Sequence, residues 1–133
     1  MSRSGWLPPH FRSEERVLNL RGIRGWEAVA ALADPMLREL AADGRCSEAR
    51  LVRLRGQARL MGDLDLAPEE AALLLHAGIA DRRGLASCDP QAVHRQLGRL
   101  QRSLAGSTLA PVPLPRLLEW IQRARSGSGR SWN

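Results

Sequence analysis

The chain has 133 residues, which fits one domain or two small halves that share a core, and its 44% apolar content is sufficient to build that core. All 20 basic residues are arginine, which excludes the lysine of a P-loop and every Schiff-base mechanism. The formal net charge of +6 favours acidic partners, because arginine-bearing surfaces attract phosphates and carboxylates.

The N-terminal residues 1–12 are predicted to form an extended arm, because Pro8 and Pro9 favour extended backbone. The aromatic side chains of Trp6 and Phe11 are candidates for docking this arm onto a partner. The arm lacks a continuous apolar stretch, and no segment of the chain approaches the ~20 apolar residues of a membrane span. We therefore expect a cytoplasmic protein without a transmembrane segment.

Residues 13–61 are predicted to form a first helical repeat, which contains a turn rich in glycine and arginine. The residues of this turn that are candidates for phosphate binding are Arg21, Gly22, Arg24 and Gly25. Glycine lets backbone N–H groups approach a phosphate, and the guanidinium groups would add attraction. Alternatively, the glycines only permit a tight turn between two helices.

Several helix starts are marked by capping residues. Asp34 and Asp89 each precede a proline, so each is predicted to be an N-cap with proline at the first helical position. Ser47 is predicted to cap a helix that runs to about Met61, and Pro68 is predicted to open another helix. Because no segment alternates apolar and polar residues long enough for a sheet, we predict an all-α fold.

Residues 62–125 are predicted to form a second helical repeat that is similar in sequence to the first. A Gly-Ile step occurs in both copies, and Ile23 and Ile79 are predicted to have equivalent core roles. Residues 51–59 align with residues 117–125, so each copy would end in an amphipathic helix that closes on Ala-Arg.

Acidic residues distinguish the later turns from the first one. Asp81 follows the second Gly-Ile step, and Asp63 and Asp65 follow Gly62, which is predicted to lie at a helix end. Carboxylates at these positions would repel a phosphate. Phosphate binding at several turns is therefore disfavoured by the sequence.

A helix after Asp89 is predicted from the apolar stripe formed by Val93, Leu97, Leu100 and Leu104. Three arginines, Arg95, Arg99 and Arg102, have the spacing of one helical face away from this stripe. The simplest interpretation is a solvated face. The alternative is a surface that binds an acidic partner, a phosphate backbone or an anionic membrane.

The C-terminal residues 126–133 are predicted to be a flexible tail rich in serine and glycine, in which Trp132 is a candidate partner anchor. Cys46 and Cys88 lie far apart and show no metal-ligand spacing, so we expect two small apolar side chains without a metal. A long-range disulfide or a reactive thiol is the alternative.

No combination of residues in the sequence predicts catalysis. His10, His76 and His94 have no nearby nucleophile in sequence and no nucleophile-elbow motif. Glu69 and Glu70 are adjacent at a helix start, where carboxylates stabilise the helix dipole. We therefore expect a non-enzymatic protein without a cofactor.

Short motifs make the chain resemble a known family. The Leu-x-x-x-Gly-Ile turn, with the Leu-Ala and Asp-Pro steps after it, resembles helix-hairpin-helix repeats such as the carboxy-terminal domain of the bacterial RNA polymerase alpha subunit. Over most of its length the chain is similar to a bacterial and cyanobacterial family of unknown function with tandem helix-hairpin-helix repeats. The segments that carry this similarity are Gln-Ala-Arg-Leu-Met at 57–61, His-Ala-Gly-Ile at 76–79 and Trp-Ile-Gln-Arg-Ala-Arg at 120–125.

This resemblance implies a fold, namely two tandem repeats packed as one compact helical domain, and it implies no activity. The function that we expect is a protein-binding adaptor or an accessory subunit of a larger assembly. The alternative is a protein that contacts DNA or RNA phosphates through the first turn and the arginine face.

Overall fold

The computed structural model describes residues 7, 11–103 and 111–127, and these residues form helices and connecting turns without a strand. The described helices are α1 (Arg12–Leu20), α2 (Trp26–Ala30), α3 (Asp34–Ala41), α4 (Glu48–Leu64), α5 (Pro68–His76), α6 (Arg82–Ala86), α7 (Pro90–Ser103) and α8 (Leu114–Ser126). They pack into a compact fold, and the predicted all-α class is confirmed.

Two apolar cores share the long central helix α4. Its N-terminal half contributes Leu51 and Leu54 to a core with α1, α2 and α3. Its C-terminal half contributes Leu60 and Leu64 to a second core with α5, α6, α7 and α8. The indole of Trp26 packs against both cores. The helix α4 therefore connects the two halves through continuous packing.

The predicted boundary between the repeats falls inside α4. Gly62, which the sequence places at a helix end, is buried within this helix, and the helix continues to Leu64. Asp65 then ends it in the left-handed conformation, with φ of +55°. The helix continues past Gly62 because Met61 and Leu64 pack in the second core, and this burial offsets the roughly 1 kcal/mol cost of a helical glycine.

The same hydrogen bond closes the turns after α1 and α5. The Ile23 N–H donates to the Leu18 carbonyl, and the Ile79 N–H donates to the Leu74 carbonyl, both at 2.9 Å. This is the six-residue bond of a Schellman motif, in which the residue before the donor is left-handed. That residue is glycine in both turns, with φ of +75° and +87°.

The residues around these turns differ in burial. Ile79 is buried in the second core, whereas Ile23 is half-buried against the first. The Leu-Ala steps that follow the two turns begin at Leu32 and Leu85, but Leu85 is fully buried inside α6 and Leu32 lies beyond the end of α2. The buried residue of α2 is Val29. The buried residues therefore pair Val29 of α2 with Leu85 of α6, whereas the Leu-Ala dipeptides would pair Leu32 with Leu85.

Two of the predicted N-caps are confirmed by hydrogen bonds. The Ser47 hydroxyl accepts the Arg50 N–H at 3.3 Å, at the start of α4. The Asp89 carboxylate accepts the Gln91 N–H at 3.3 Å, at the start of α7. The helix predicted to open at Pro68 does so, with acidic residues in its first turn.

The prediction that Asp34 caps α3 is wrong. The cap position is occupied by Ala33, and Asp34 is the first helical residue without a side-chain capping bond. Its carboxylate instead lies 2.7 Å from the Arg55 guanidinium of α4, and this hydrogen bond lowers the pKa of Asp34. A charged partner from another helix therefore replaces the local backbone N–H.

An ion pair joins the first helix of the first core to α4. Glu14 is only 2% exposed, and its carboxylate lies 3.2 Å from the Arg50 guanidinium. That guanidinium also lies over the Phe11 ring, 5.0 Å from its centroid. Phe11 is buried with Leu7 in the first core, so it is an intramolecular core residue and not an exposed partner anchor.

The second core contains a matching arrangement. Glu70 of α5 is buried, and its carboxylate accepts hydrogen bonds from the Ala67 N–H at 2.8 Å and from Arg116 Nε–H at 2.9 Å. The Arg116 guanidinium lies 5.7 Å from the centroid of the Trp120 ring. In each core, therefore, an arginine from a long helix pairs with a buried glutamate and lies over an aromatic ring.

Cys46 and Cys88 are both half-buried free thiols, each beside a different core. Burial raises the pKa of both thiols. The Cys46 thiol donates to the Leu40 carbonyl at 3.6 Å. The structure therefore contains no disulfide between them. Both thiols keep their protons to a higher pH than an exposed cysteine does.

Candidate functional site

The helix α7 separates an apolar face from an arginine face. Val93 and Leu97 are buried in the second core, and Leu100 packs partly against it. The fourth residue of the predicted stripe, Leu104, lies outside the described residues. This face of α7 packs on α5 and α8, which fixes the opposite face towards solvent.

Arg95, Arg99 and Arg102 lie exposed on that opposite face. Within the described residues, none of the three forms an ion pair. The stretches of chain outside the described residues contain no aspartate or glutamate that could neutralise them. Like charges so close together repel one another, so an anionic partner would relieve their repulsion.

These arginines border a groove of about 440 Å³ between α7 and residues 111–112. Gly98 lies between the arginines and contributes no side chain, and the flexible end of Arg102 lies next to it. The opposite wall is Val112, whose carbonyl accepts His94 Nε2–H at 3.1 Å and whose N–H donates to the Gln101 side chain at 3.3 Å. Two side chains of α7 thus hold the wall of the groove in place.

Two arginines near the ends of the long helices α4 and α8 differ from these because the fold uses them internally. Arg59 Nε–H donates to the Ala30 carbonyl, and Arg125 Nε–H donates to the Ala86 carbonyl, both at 3.0 Å. These carbonyls end α2 and α6, where a helix has unpaired acceptors. The arginines of α7 have no such intramolecular role among the described residues.

The first turn brings its predicted phosphate-binding residues together, but one cation is already paired. Arg21 forms an exposed ion pair with Glu39 of α3. Gly22 and Gly25 both have positive φ, and Arg24 is exposed beside them. The turn therefore retains one arginine without a described ion-pair partner.

The second turn holds a carboxylate at the corresponding helix start. Asp81 caps α6, and its side chain accepts the Gly84 N–H at 2.8 Å. An anion at this helix start would have to displace the carboxylate. At the first turn the cap of α2 is Gly25, which has no side chain to occupy the position.

Of the other predicted anchors, the structure describes only Phe11, which does not line the groove. Trp6 and Trp132 lie outside the described residues, and Phe11 is buried. The sequence predicted the arginine row but not the groove beside it. Its unrecognised signals were Gly98 inside the row and the prolines at 111 and 113, which return the chain to α7.

The described part of the chain contains no cluster of histidine, cysteine and acidic residues that could hold a metal ion. None of its helices is long and apolar enough to cross a membrane. A family model described as a domain of unknown function, DUF4332, matches residues 8–127. No curated protein and no solved structure matches the chain.

Proposed function

The chain belongs to the DUF4332 family, a domain of unknown function, and from its own surface we propose that it is a non-enzymatic cytoplasmic adaptor or accessory subunit. Its recognition surface is the arginine face of α7, and its partner is an acidic protein. The two cores supply a rigid scaffold that presents this face.

The observation that supports this proposal most directly is the unneutralised charge of Arg95, Arg99 and Arg102 along one groove. Surfaces designed for solubility intersperse charges of both signs and avoid large fields of a single sign. Here no acidic side chain lines the groove among the described residues. A partner that supplies carboxylates would form several ion pairs at once and would associate faster through long-range attraction.

Affinity purification from the source cell, with and without nuclease, tests this proposal. The matched variants replace Arg95, Arg99 and Arg102 by glutamine, or replace three exposed arginines elsewhere, Arg16, Arg38 and Arg83, by glutamine. We expect a nuclease-resistant protein partner that fails to bind the first variant and still binds the second. Equal retention by both variants would refute α7 as the recognition surface.

Nucleic acid is the second candidate, supported by the uncapped start of α2 at Gly25 and the exposed Arg24 beside it. If these residues contact phosphates, Arg24→Gln should weaken binding to many sequences alike. It should also flatten the salt dependence by a slope of about 0.9 for each duplex phosphate that the variant no longer neutralises. Tight, sequence-selective binding at physiological salt that Arg24→Gln abolishes would favour this candidate over the adaptor.

We also propose that the two halves are copies of one helix-hairpin-helix-like unit. Three pairs of contacts support this: the Schellman bonds after α1 and α5, the Glu–Arg pairs of the two cores, and the arginines that bond the ends of α2 and α6. Each pair involves residues at matching positions in the two copies. In each copy the arginine near the end of the long helix, Arg59 or Arg125, would then bond the C-terminal carbonyl of the short helix α2 or α6.

A further inference from the structure

We infer that the α7 groove receives an acidic amphipathic helix that inserts one apolar side chain between the arginines. This inference rests on the proposed function and specifies the partner segment. The groove combines a cationic rim, formed by Arg95, Arg99 and Arg102, with an apolar wall, and at Gly98 it is bordered by the flexible end of Arg102 and by no side chain of residue 98 itself. Both features must be matched by one ligand.

The apolar part of the groove favours a side chain over bare phosphate. Pro111 and Val112 form one wall, and Gly98 contributes no side chain to the floor. Covering this surface with an apolar group is favourable by roughly 25 cal/mol for each Å² removed from water. A phosphodiester backbone would leave this surface without a partner, so a peptide fits both parts of the groove.

The wall is fixed before binding. Val112 is buried, and the hydrogen bonds from His94 and to Gln101 hold its carbonyl and its N–H. A partner therefore does not have to order this segment, which reduces the entropic cost of association. Preformed concave sites of this kind typically orient a ligand with few polar groups.

The spacing of the arginines specifies the spacing of the ligand's acids. In an α-helix with a rise of about 1.5 Å per residue, Arg99 lies about 6 Å and Arg102 about 10.5 Å along the axis from Arg95. A second helix laid along α7 presents glutamates with the same period when they are four and three residues apart. An apolar residue on the same face would then lie between them, opposite Gly98.

A single-stranded nucleic acid is typically bound by large aromatic side chains that stack on its bases, and the described part of the groove has none. The chain has no tyrosine and a single phenylalanine, Phe11, which is buried in the first core. Of the described tryptophans, Trp120 is buried in the second core, and Trp26 packs against both cores. Among the described residues no tyrosine, phenylalanine or tryptophan lines the groove, and the imidazole of His94 is bonded to the Val112 carbonyl.

Fluorescence anisotropy with the full chain tests this inference. The probe is a labelled helical peptide with three glutamates at the matching spacing and one leucine on the same face. A second peptide replaces the leucine by serine, and a third probe is a labelled DNA duplex. Each probe is titrated with the wild type, the α7 triple glutamine variant, the control triple variant and Gly98→Leu.

We expect the leucine peptide to bind the wild type and the control variant equally. Its affinity for the α7 variant should be about tenfold weaker, because each exposed ion pair contributes modestly. Gly98→Leu should weaken binding similarly, since its side chain occupies the floor, and the serine peptide should bind more weakly than the leucine peptide. Circular dichroism of each variant checks that its helices are intact, and Gly98→Ala provides a smaller substitution at the same site.

Three outcomes would overturn the inference: no binding of the leucine peptide, equal binding of the serine peptide, or unchanged affinity of Gly98→Leu. Tighter binding of duplex DNA that the α7 variant abolishes would identify the groove as a nucleic-acid site instead. The proposed function fails separately, if the α7 variant still retains the cellular partner. The two proposals can also be told apart in another way. If the α7 variant loses the cellular partner but the wild type does not bind the leucine peptide, the adaptor proposal holds and the acidic-helix inference is wrong.

Discussion

The arginines of this protein serve two structural purposes, and the α7 arginines serve neither within the described residues. Some pair with carboxylates, as Arg116 does with Glu70, and others bond the carbonyls at helix ends, as Arg59 and Arg125 do. The planar guanidinium suits both uses because its N–H groups point in fixed directions. Exposed arginines without a described ion pair also occur elsewhere, as at Arg16 and Arg83, so the informative feature of α7 is that three of them border one groove.

The ion pair between the buried Glu70 carboxylate and the half-exposed Arg116 guanidinium should contribute measurably to stability. Glu70→Gln keeps an acceptor for the Ala67 N–H but removes the charge that pairs with Arg116. We expect a decrease of about 1–3 kcal/mol in the free energy of unfolding, measured by urea denaturation. With Arg116→Gln as the second change, the double variant should be destabilised by less than the sum. Strict additivity would show that the two side chains do not interact.

The two half-buried thiols predict a fall in stability at alkaline pH. Burial raises the pKa of Cys46 and Cys88, so the folded protein holds these protons to higher pH than the unfolded chain. The stability they contribute is present below the unfolded thiol pKa and is lost as pH rises through the folded one. The chain has no lysine or tyrosine, so these thiols are the side chains that titrate between about pH 8 and 10.

Urea denaturation across this pH window checks the effect. The free energy of unfolding of the wild type should decrease, and that of the double variant Cys46→Ala, Cys88→Ala should decrease less. An identical decrease in both proteins would assign the pH dependence to other groups.

Glycine has opposite consequences in the turns and in the helices. Gly78 has φ of +87° after α5, a conformation that favours glycine, and a Cβ there would meet nothing within 4 Å. Gly98 is helical, and a Cβ there would meet the flexible end of Arg102 at 3.4 Å. The first glycine is thus required by the backbone, whereas the second weakens its helix.

The two alanine substitutions should therefore change stability in opposite directions. Gly78→Ala should cost about 1 kcal/mol or more through backbone strain, and Gly98→Ala should gain about 0.5–1 kcal/mol. Thermal melts followed by circular dichroism measure both. A destabilised Gly98→Ala protein would mean that the groove cannot accommodate even a methyl group.

Local signals predicted the helices, and long-range contacts explain the differences. Ser47 and Asp89 cap helices as expected because their acceptors lie next to the N–H groups that they satisfy. Asp34 does not, because Arg55 approaches from a helix that is distant in sequence. The helix end predicted at Gly62 failed for the same reason, since packing in the second core continues α4.

At the scale of the whole molecule, α4 makes the two cores depend on each other. Unfolding of this helix would expose Leu51 in the first core and Leu64 in the second. We therefore expect a single cooperative unfolding transition, with coincident urea curves from far-ultraviolet circular dichroism and tryptophan fluorescence. Separate transitions would show that the halves unfold independently.

The candidate site was predictable only in part. The spacing of Arg95, Arg99 and Arg102 placed them on one helical face, because helical periodicity is a local property. The groove depends on the return of the chain at Val112, which is fixed by side chains up to 18 residues away. Helical periodicity carries no information on such contacts. The sequence therefore predicted the row of arginines, whereas the groove beside it could be seen only in the folded structure.

Site-specific photo-crosslinking in the source cell shows whether the arginine face of α7 contacts a partner. A photoreactive amino acid replaces Arg99 on α7, and in separate proteins it replaces Arg24 at the first turn or Arg38 on α3. We expect a crosslink to an acidic protein from position 99 and none from position 38. A crosslink from position 24 to nucleic acid, with none from position 99, would contradict it.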